Sequence, residues 1–284
     1  MMIFLYFIVL MLAGFASGLV GAMSGLGGGV VIIPILTLLL GVPLEYAAGA
    51  SLISTIATSS GAASAYIKDK LANIKIGMSL EIATTLGAII GSLLAAYVYS
   101  NGISSWLFVL FGAVLILSLY PAFRQYEEVH RKRINRDWST DLFQLRGSYY
   151  DSAVRRTIKY SGYRWWLGES VMGVAGLISG LLGIGSGVLK VMGMDWGMKL
   201  PMKVTTSTSN FMIGVTAVTG SVIYWTLGYI QPFIAAPVVI GILLGAYCGS
   251  KLLQRTANRS VRLLFLILLG IIGIEMLLRG FGVA

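Results

Sequence analysis

The chain has 284 residues, of which 57% are hydrophobic and only 11% charged. That balance excludes an ordinary water-soluble domain, where about a quarter of residues carry charge. The net charge of +10 does not point to nucleic acid, because ten of the 21 Lys and Arg lie between Arg124 and Arg164. The single cysteine, Cys248, excludes an internal disulfide or a cysteine metal cluster and reads as plain packing in an apolar run.

Ten hydrophobic segments are expected, five per half. The first half gives 2–22, 28–42, 46–67, 75–100 and 103–122. The second gives 166–184, 186–200, 204–226, 231–253 and 260–281. Segment 2–22 has no basic leader and no small-residue cleavage site, so it reads as a retained span. The second segment of each half is short for a full crossing, which takes about 20 residues. The fold class expected is an all-α polytopic membrane protein, organised as a first repeat over 1–122, a basic linker over 123–164 and a second repeat over 165–284.

The two halves share a register. Gly18-Leu-Val-Gly-Ala-Met-Ser-Gly-Leu-Gly-Gly-Gly-Val30 returns 158 residues later as Gly176-Leu-Ile-Ser-Gly-Leu-Leu-Gly-Ile-Gly-Ser-Gly-Val188. Without a gap, Pro43 then meets Pro201, Ser51 meets Ser209, Thr58 meets Thr216 and Tyr66 meets Tyr224. A duplicated membrane unit with a glycine break before a short segment in each half is a transporter pattern.

Loop charge orients the chain. If the linker is cytoplasmic and every segment crosses, the loops 68–75, 199–203 and 251–262 fall on the same side, and these carry the remaining basic loop residues. Loops 42–46, 101–103 and 227–231 fall outside and carry only Glu45. Equivalent loops of the two halves thereby change sides, which predicts inverted-topology repeats with both termini external. The linker's aromatic and basic residues are expected to rest on lipid headgroups.

The candidate binding residues follow from the breaks. Gly27, Gly28 and Gly29 with Gly185 and Gly187 expose backbone N–H groups at helix N-termini, where anions bind. Ser24 and Ser186 add hydroxyls. The same glycines would also serve close helix packing. Two polar stripes accompany them: Ser51, Ser54, Thr55 and Thr58 in one half, Thr205, Thr206, Ser209, Asn210 and Thr216 in the other. Single hydroxyls in lipid commonly bond their own helix backbone. Asn210 has more donors and acceptors to satisfy, so Ser51, Thr55, Thr206, Ser209 and Asn210 read as a polar lining. Lys190, just past the second break, is the candidate countercharge for an anion, with Asp195 as its alternative partner. Lys190→Met is then expected to weaken anion binding while sparing the fold. Glu81 is a candidate proton acceptor on the pathway. Glu275 reads as a helix-end partner of Arg279.

The run Gly21-Ala-Met-Ser-Gly-Leu-Gly-Gly-Gly-Val-Val-Ile-Ile-Pro34, with Gly41-Val-Pro43 and Ala47-Ala-Gly-Ala-Ser-Leu52, resembles the sulfite exporter family of TauE/SafE type. The second half matches through Gly180-Leu-Leu-Gly-Ile-Gly-Ser-Gly-Val-Leu-Lys-Val191 and Met202-Lys-Val-Thr-Thr-Ser-Thr-Ser-Asn-Phe211. Two departures stand out: Ser186 replaces the middle glycine, and Met192 stands where the first half has Pro34. The resemblance implies a permease that exports small sulfur-containing or organic anions, such as sulfite and sulfonates, across the inner membrane.

The expected protein is thus a secondary transporter of a small anionic substrate. Membrane lipids are its other partners, no cofactor, metal or nucleic acid is expected, and monomer and homo-oligomer both remain open. The rival readings are a carrier of another organic anion or a metal cation, and a non-transporting scaffold. An intramembrane enzyme is disfavoured, because the only histidine, His130, lies in the linker and no nucleophile–base pair or P-loop is visible.

Overall fold

A computed structural model describes residues 2–68, 71–101, 104–127, 137–151 and 155–282. Asp69, Lys70, His130 and the terminal residues Met1 and Ala284 lie outside the described residues. Eleven α-helices and one hairpin are present among those described. In the first half they are α1 (Met2–Ser24), α2 (Gly28–Pro34, continued by a π turn, Ile35–Leu39), α3 (Leu44–Lys68), α4 (Ile74–Ser100) and α5 (Ser104–Glu127). The linker holds α6 (Trp138–Leu142), β1 (Arg146–Asp151) and β2 (Arg156–Ser161). The second half repeats the first: α7 (Trp165–Leu182), α8 (Gly187–Met192, continued by a π turn, Gly193–Gly197), α9 (Met202–Thr226), α10 (Pro232–Arg255) and α11 (Asn258–Gly280).

Five helices, rather than ten, are long and apolar enough by themselves to cross a membrane: those within α1, α4, α7, α10 and α11. The physical reason is visible in α3 and α9. Each has 25 residues, ample length, but carries a hydroxyl stripe. In α9 every residue from Met202 to Asn210 is buried. A helix enclosed by other helices has no lipid to satisfy, so its hydropathy falls. The peripheral helices show the reverse. Along α4 the exposed positions include Met78, Ile82, Leu86, Ile90, Leu93 and Tyr97, an apolar stripe three to four residues apart. Cys248, expected inside, lies exposed on α10 between Tyr247 and the buried Gly249.

In lipid, helices gain little from hydrophobic burial against one another, so close backbone packing must hold them. Two glycine seams do this. Gly14 and Gly18 of α1 face α10 at Val238 and Ile242, while Gly241, Gly245 and Gly249 of α10 face Met11, Phe15 and Leu19. Residue numbers rise together, so α1 and α10 run parallel. The second seam joins α4 and α7 through Gly87, Gly91, Gly176 and Gly180, also parallel. Exchanging the halves turns one seam into the other. The equivalent helices α3 and α9 meet antiparallel, with Leu52 near Gly220 and Ser59 near Gly214. So do α5 and α11, with Gly112 near Leu277 and Val109 near Gly280.

The linker corrects the all-α expectation. β1 and β2 form an antiparallel hairpin, with Tyr149 opposite Ile158 and Asp151 opposite Arg156. Its aromatic and β-branched residues suit a half-buried ribbon. Leu145 and Tyr149 are buried in the main core with Met198 and Leu200, so this segment docks on the helices instead of only lying beside them. Asp151 accepts from the Lys203 Nζ at 2.8 Å, and that ammonium also reaches the Gln254 carbonyl at 3.2 Å. The Asn73 Nδ2 donates to the Tyr160 hydroxyl at 3.1 Å, and the Asn73 side chain caps α4. Asp137 caps α6 in a capping box with Thr140. Partial burial pushes the Asp137 carboxyl up, but hydrogen bonds from Ser139, the Arg164 N–H and Thr140 outweigh it and hold the group below its ordinary value.

Candidate functional site

The two helix breaks meet. At the first, Gly25 and Gly27 take φ of 79° and 77°, and at the second Gly183 and Gly185 take 70° and 73°. Only glycine enters this left-handed region without strain, so the chain can stop α1 and α7 abruptly and restart as α2 and α8. A Cβ on Gly187 would lie 2.3 Å from the Leu26 carbonyl oxygen, which shows how closely the breaks abut. The Ser209 hydroxyl bridges them, donating to the Gly25 carbonyl at 2.9 Å with the Gly187 carbonyl at 3.4 Å.

Around this junction the structure gathers the polar lining. A Cβ on Gly29 would lie 2.4 Å from both the Ser51 and Thr55 hydroxyls, and the Thr55 methyl packs on Gly185 and Gly27. The Thr206 hydroxyl reaches the Ser24 carbonyl at 3.5 Å, and Thr206 also covers Gly25. The Asn210 Nδ2 donates to the Ala22 carbonyl at 2.8 Å. Ser24, Ser51, Thr55, Thr206, Ser209 and Asn210 are all fully buried. Ser24 and Thr55 donate to carbonyls one turn back, at Val20 and Ser51, the local bonding common for hydroxyls in lipid. The Gly28 N–H donates to the Thr58 hydroxyl at 3.0 Å, so in this conformation Thr58 occupies that helix N-terminus.

Several atoms of the lining have no hydrogen-bond partner among the described residues: Ser51 Oγ, Ser54 Oγ, Thr205 Oγ1 and Asn210 Oδ1. Buried polar atoms are nearly always paired, and each exception asks for a reason. The Asn210 amide is oriented by its bond to Ala22, so the free oxygen is the consequence of a definite geometry. Full burial of hydroxyl stripes would also suit a scaffold, and buried atoms without a partner among the described residues occur away from the junction too, at Ser17, Ser92 and Ser161. The pocket of about 300 Å³ lined by Lys75, Thr140, Asp141, Gln144 and Arg146 belongs to the linker end, not to the glycine junction.

Ser186 has φ 60°, left-handed for a residue with a Cβ, and its hydroxyl donates to the adjacent Gly185 carbonyl. That conformation costs a non-glycine residue about 1–2 kcal/mol. Ser186→Gly is therefore expected to raise thermal stability by about 1 kcal/mol, since glycine's greater freedom when unfolded offsets part of the gain. Unchanged or lower stability would mean the serine hydroxyl stabilises the break.

Lys190 is fully buried on α8, and its partner is Glu81 of α4, at Nζ–Oε2 3.0 Å. Thr216 of α9 completes the group, accepting from Lys190 and donating to the other Glu81 oxygen. Thr216 is the equivalent of Thr58, and the two do different work. Asp195, the partner considered from sequence, is buried in the π turn after α8 and has interactions of its own. The sequence singled out Lys190 and Glu81 but not their pairing, since 109 positions separate them.

The tyrosines were also unforeseen as functional elements. The Tyr66 hydroxyl donates to the Ala22 carbonyl at 2.7 Å, and the Tyr224 hydroxyl to the Gly180 carbonyl at 3.3 Å. These are equivalent tyrosines on equivalent carbonyls, each at a helix end beside a glycine break, where carbonyls lose their partners. Because α3 and α9 are antiparallel, the two bonds lie toward opposite ends of the bundle. Their shared offset was the available signal.

A family model described as "Sulfite exporter TauE/SafE" matches residues 10–276. The chain belongs to that family: it is a multi-pass membrane transporter. It is 30% identical over 283 residues to "Probable membrane transporter protein YunE" of Bacillus subtilis, covering 96% of this chain and 98% of that one. It is 26% identical to "Probable membrane transporter protein YdhB" of the same organism, over 87% of this chain and 89% of the relative. Identity to "Probable membrane transporter protein MJ0441" of Methanocaldococcus jannaschii is 25%, over 95% of each. No solved structure matches.

Proposed function

We propose that the protein exports a small sulfur oxyanion of the sulfite or organosulfonate class across the inner membrane. The site is the junction of the two breaks, and the observation that carries it is the buried, unpartnered polar atoms that flank the first break, Ser51 Oγ against Gly29 and Asn210 Oδ1 on the amide bonded to Ala22; Lys190, three residues past Gly187, is the countercharge this reading assigns. Ser24, Thr55, Thr206, Ser209 and the amides of Gly27–Gly29 and Gly185–Gly187 complete the lining. The two halves act as inverted repeats of five crossings each. Antiparallel packing of α3 with α9 and of α5 with α11 supports this, because an axis along the membrane normal would make equivalent helices parallel. The same packing supports full crossing by the short segments 28–42 and 186–200. The linker 123–164 lies in the cytoplasm, in keeping with its charge.

The test of function is flux from liposomes holding the purified protein, with sulfite, methanesulfonate, sulfate and acetate. Sulfite or methanesulfonate should move faster than through protein-free vesicles; if neither does, the reading fails. For orientation, cysteines placed at Lys75 and Arg255 in a Cys248→Ser background should resist an impermeant thiol reagent applied outside cells. Labelling of either from outside would refute the inside placement.

A further inference from the structure

The Lys190–Glu81–Thr216 group occurs once. At the equivalent positions of the other half stand Ile32, Val239 and Thr58, and Ile32 and Val239 belong to one apolar cluster. The repeat therefore packs at this place without any charge. A buried ion pair is weak as a stabilising device, so its presence in only one half calls for another role.

The pair is neutral as it stands. An anion arriving at Lys190 must share that cation with a Glu81 carboxylate 3.0 Å from it, and two like charges would then lie side by side out of water. Neutralising Glu81 resolves the conflict. We infer that the transported species is a monoanion accompanied by one proton, and that Lys190 is handed from Glu81 to the anion as Glu81 is protonated. This rests on the reading of Lys190 as the anion's countercharge. The balance is complete: Glu81 gains one proton from the side of loading, Lys190 keeps its own, and the sum over cation, anion and carboxylic acid stays zero. On release the proton leaves Glu81 and the pair closes again, so export carries the proton outward with the anion and is driven by the anion's own gradient. Thr216 suits the exchange. Its hydroxyl donates to the ionised carboxylate and accepts from Lys190. Once Glu81 carries a proton, the carboxylic acid can donate instead, and the threonine hydrogen is free to turn to the anion. The other titratable groups on the elements around Glu81 are Glu169 of α7, which interacts with the backbone at Ala83, Asp195 in the π turn after α8, Lys203 and Tyr224 toward the two ends of α9, and Lys75, Tyr97 and Tyr99 toward the two ends of α4.

The test is calorimetric titration of the full-length protein in lipid nanodiscs with methanesulfonate, an anion that stays ionised across the working range. Repeating it in buffers of different ionisation enthalpy counts protons. Wild type should take up about one proton per anion, and its affinity should fall as pH rises, by up to about tenfold per pH unit. Glu81→Gln should bind without proton uptake and without pH dependence. In liposomes it should exchange anion for anion yet fail to accumulate it on a pH gradient. Binding by wild type without proton uptake overturns the coupling and leaves the anion site standing, a result that needs no variant. Persistent uptake in Glu81→Gln would place the proton elsewhere and also overturn it. Failure of wild type to bind methanesulfonate at all counts against the proposed substrate class and, with it, against this inference.

Discussion

Replacement of Lys190 by methionine is expected to destabilise the protein by about 3–5 kcal/mol, the usual loss when one member of a buried pair is removed. The reason is Glu81. With Lys190 gone, its carboxylate remains almost wholly enclosed and keeps, among the described residues, the Thr216 hydroxyl alone. The sequence suggested that this substitution would spare the fold; the ion pair reverses that expectation. The double variant Lys190→Met/Glu81→Leu should recover most of the stability, because a packed apolar pair can replace a buried ion pair at little loss. The other half already does so with Ile32 and Val239. Transport should stay absent in both variants. Unfolding midpoints in lipid–detergent mixtures give the comparison. Equal stability of Lys190→Met and wild type would mean that the pair contributes nothing to folding.

Gly241→Leu should prevent accumulation of folded protein. A Cβ at Gly241 would fall 1.9 Å from the Met11 carbonyl oxygen and 2.8 Å from the Phe15 nitrogen. These are backbone atoms, which cannot rotate away as a side-chain end would. Overpacking a tight site costs about 1–3 kcal/mol even where side chains can adjust, and here a branched side chain must push α1 from α10 along the whole seam. Gly270→Ala in α11 is the control: its Cβ meets nothing within 4 Å among the described residues, and alanine's better helix propensity should leave stability unchanged or about 1 kcal/mol higher. Recovery and monodispersity on size exclusion distinguish them. A monodisperse Gly241→Leu protein would show that the seam is not a close-packed contact in the membrane.

Much of the architecture was legible because duplication repeats its own clues. The glycine breaks, the short segments and the polar stripes could be aligned by counting, and the junction of Gly25–Gly29 with Gly183–Gly187 followed from them. The identity of the enclosed helices was harder. Hydropathy reports contact with lipid; α3 and the first half of α9 have little, and it is there that the hydroxyls resemble loop composition. The hairpin at Arg146–Ser161 was hidden for a related reason: its Arg and Lys residues mask a short alternation. The Glu81–Lys190 pairing was invisible because it joins residues of different halves that have no charged counterparts under the repeat. Symmetry could place what occurs twice, and this group occurs once.

The paired tyrosine bonds carry a consequence for leakage. Tyr66 secures one end of the bundle through Ala22, and Tyr224 the other through Gly180. If opening an end requires its own bond to break, a continuous pore needs both to be broken together. With two independent bolts, the fraction of time spent as a pore is the product of two small fractions. Each bond of this type contributes only about 1 kcal/mol, so either bolt alone would be a poor seal. Doubling the unit supplies the second bolt, so a transporter built this way forms a continuous pore several times less often than it opens at either end alone.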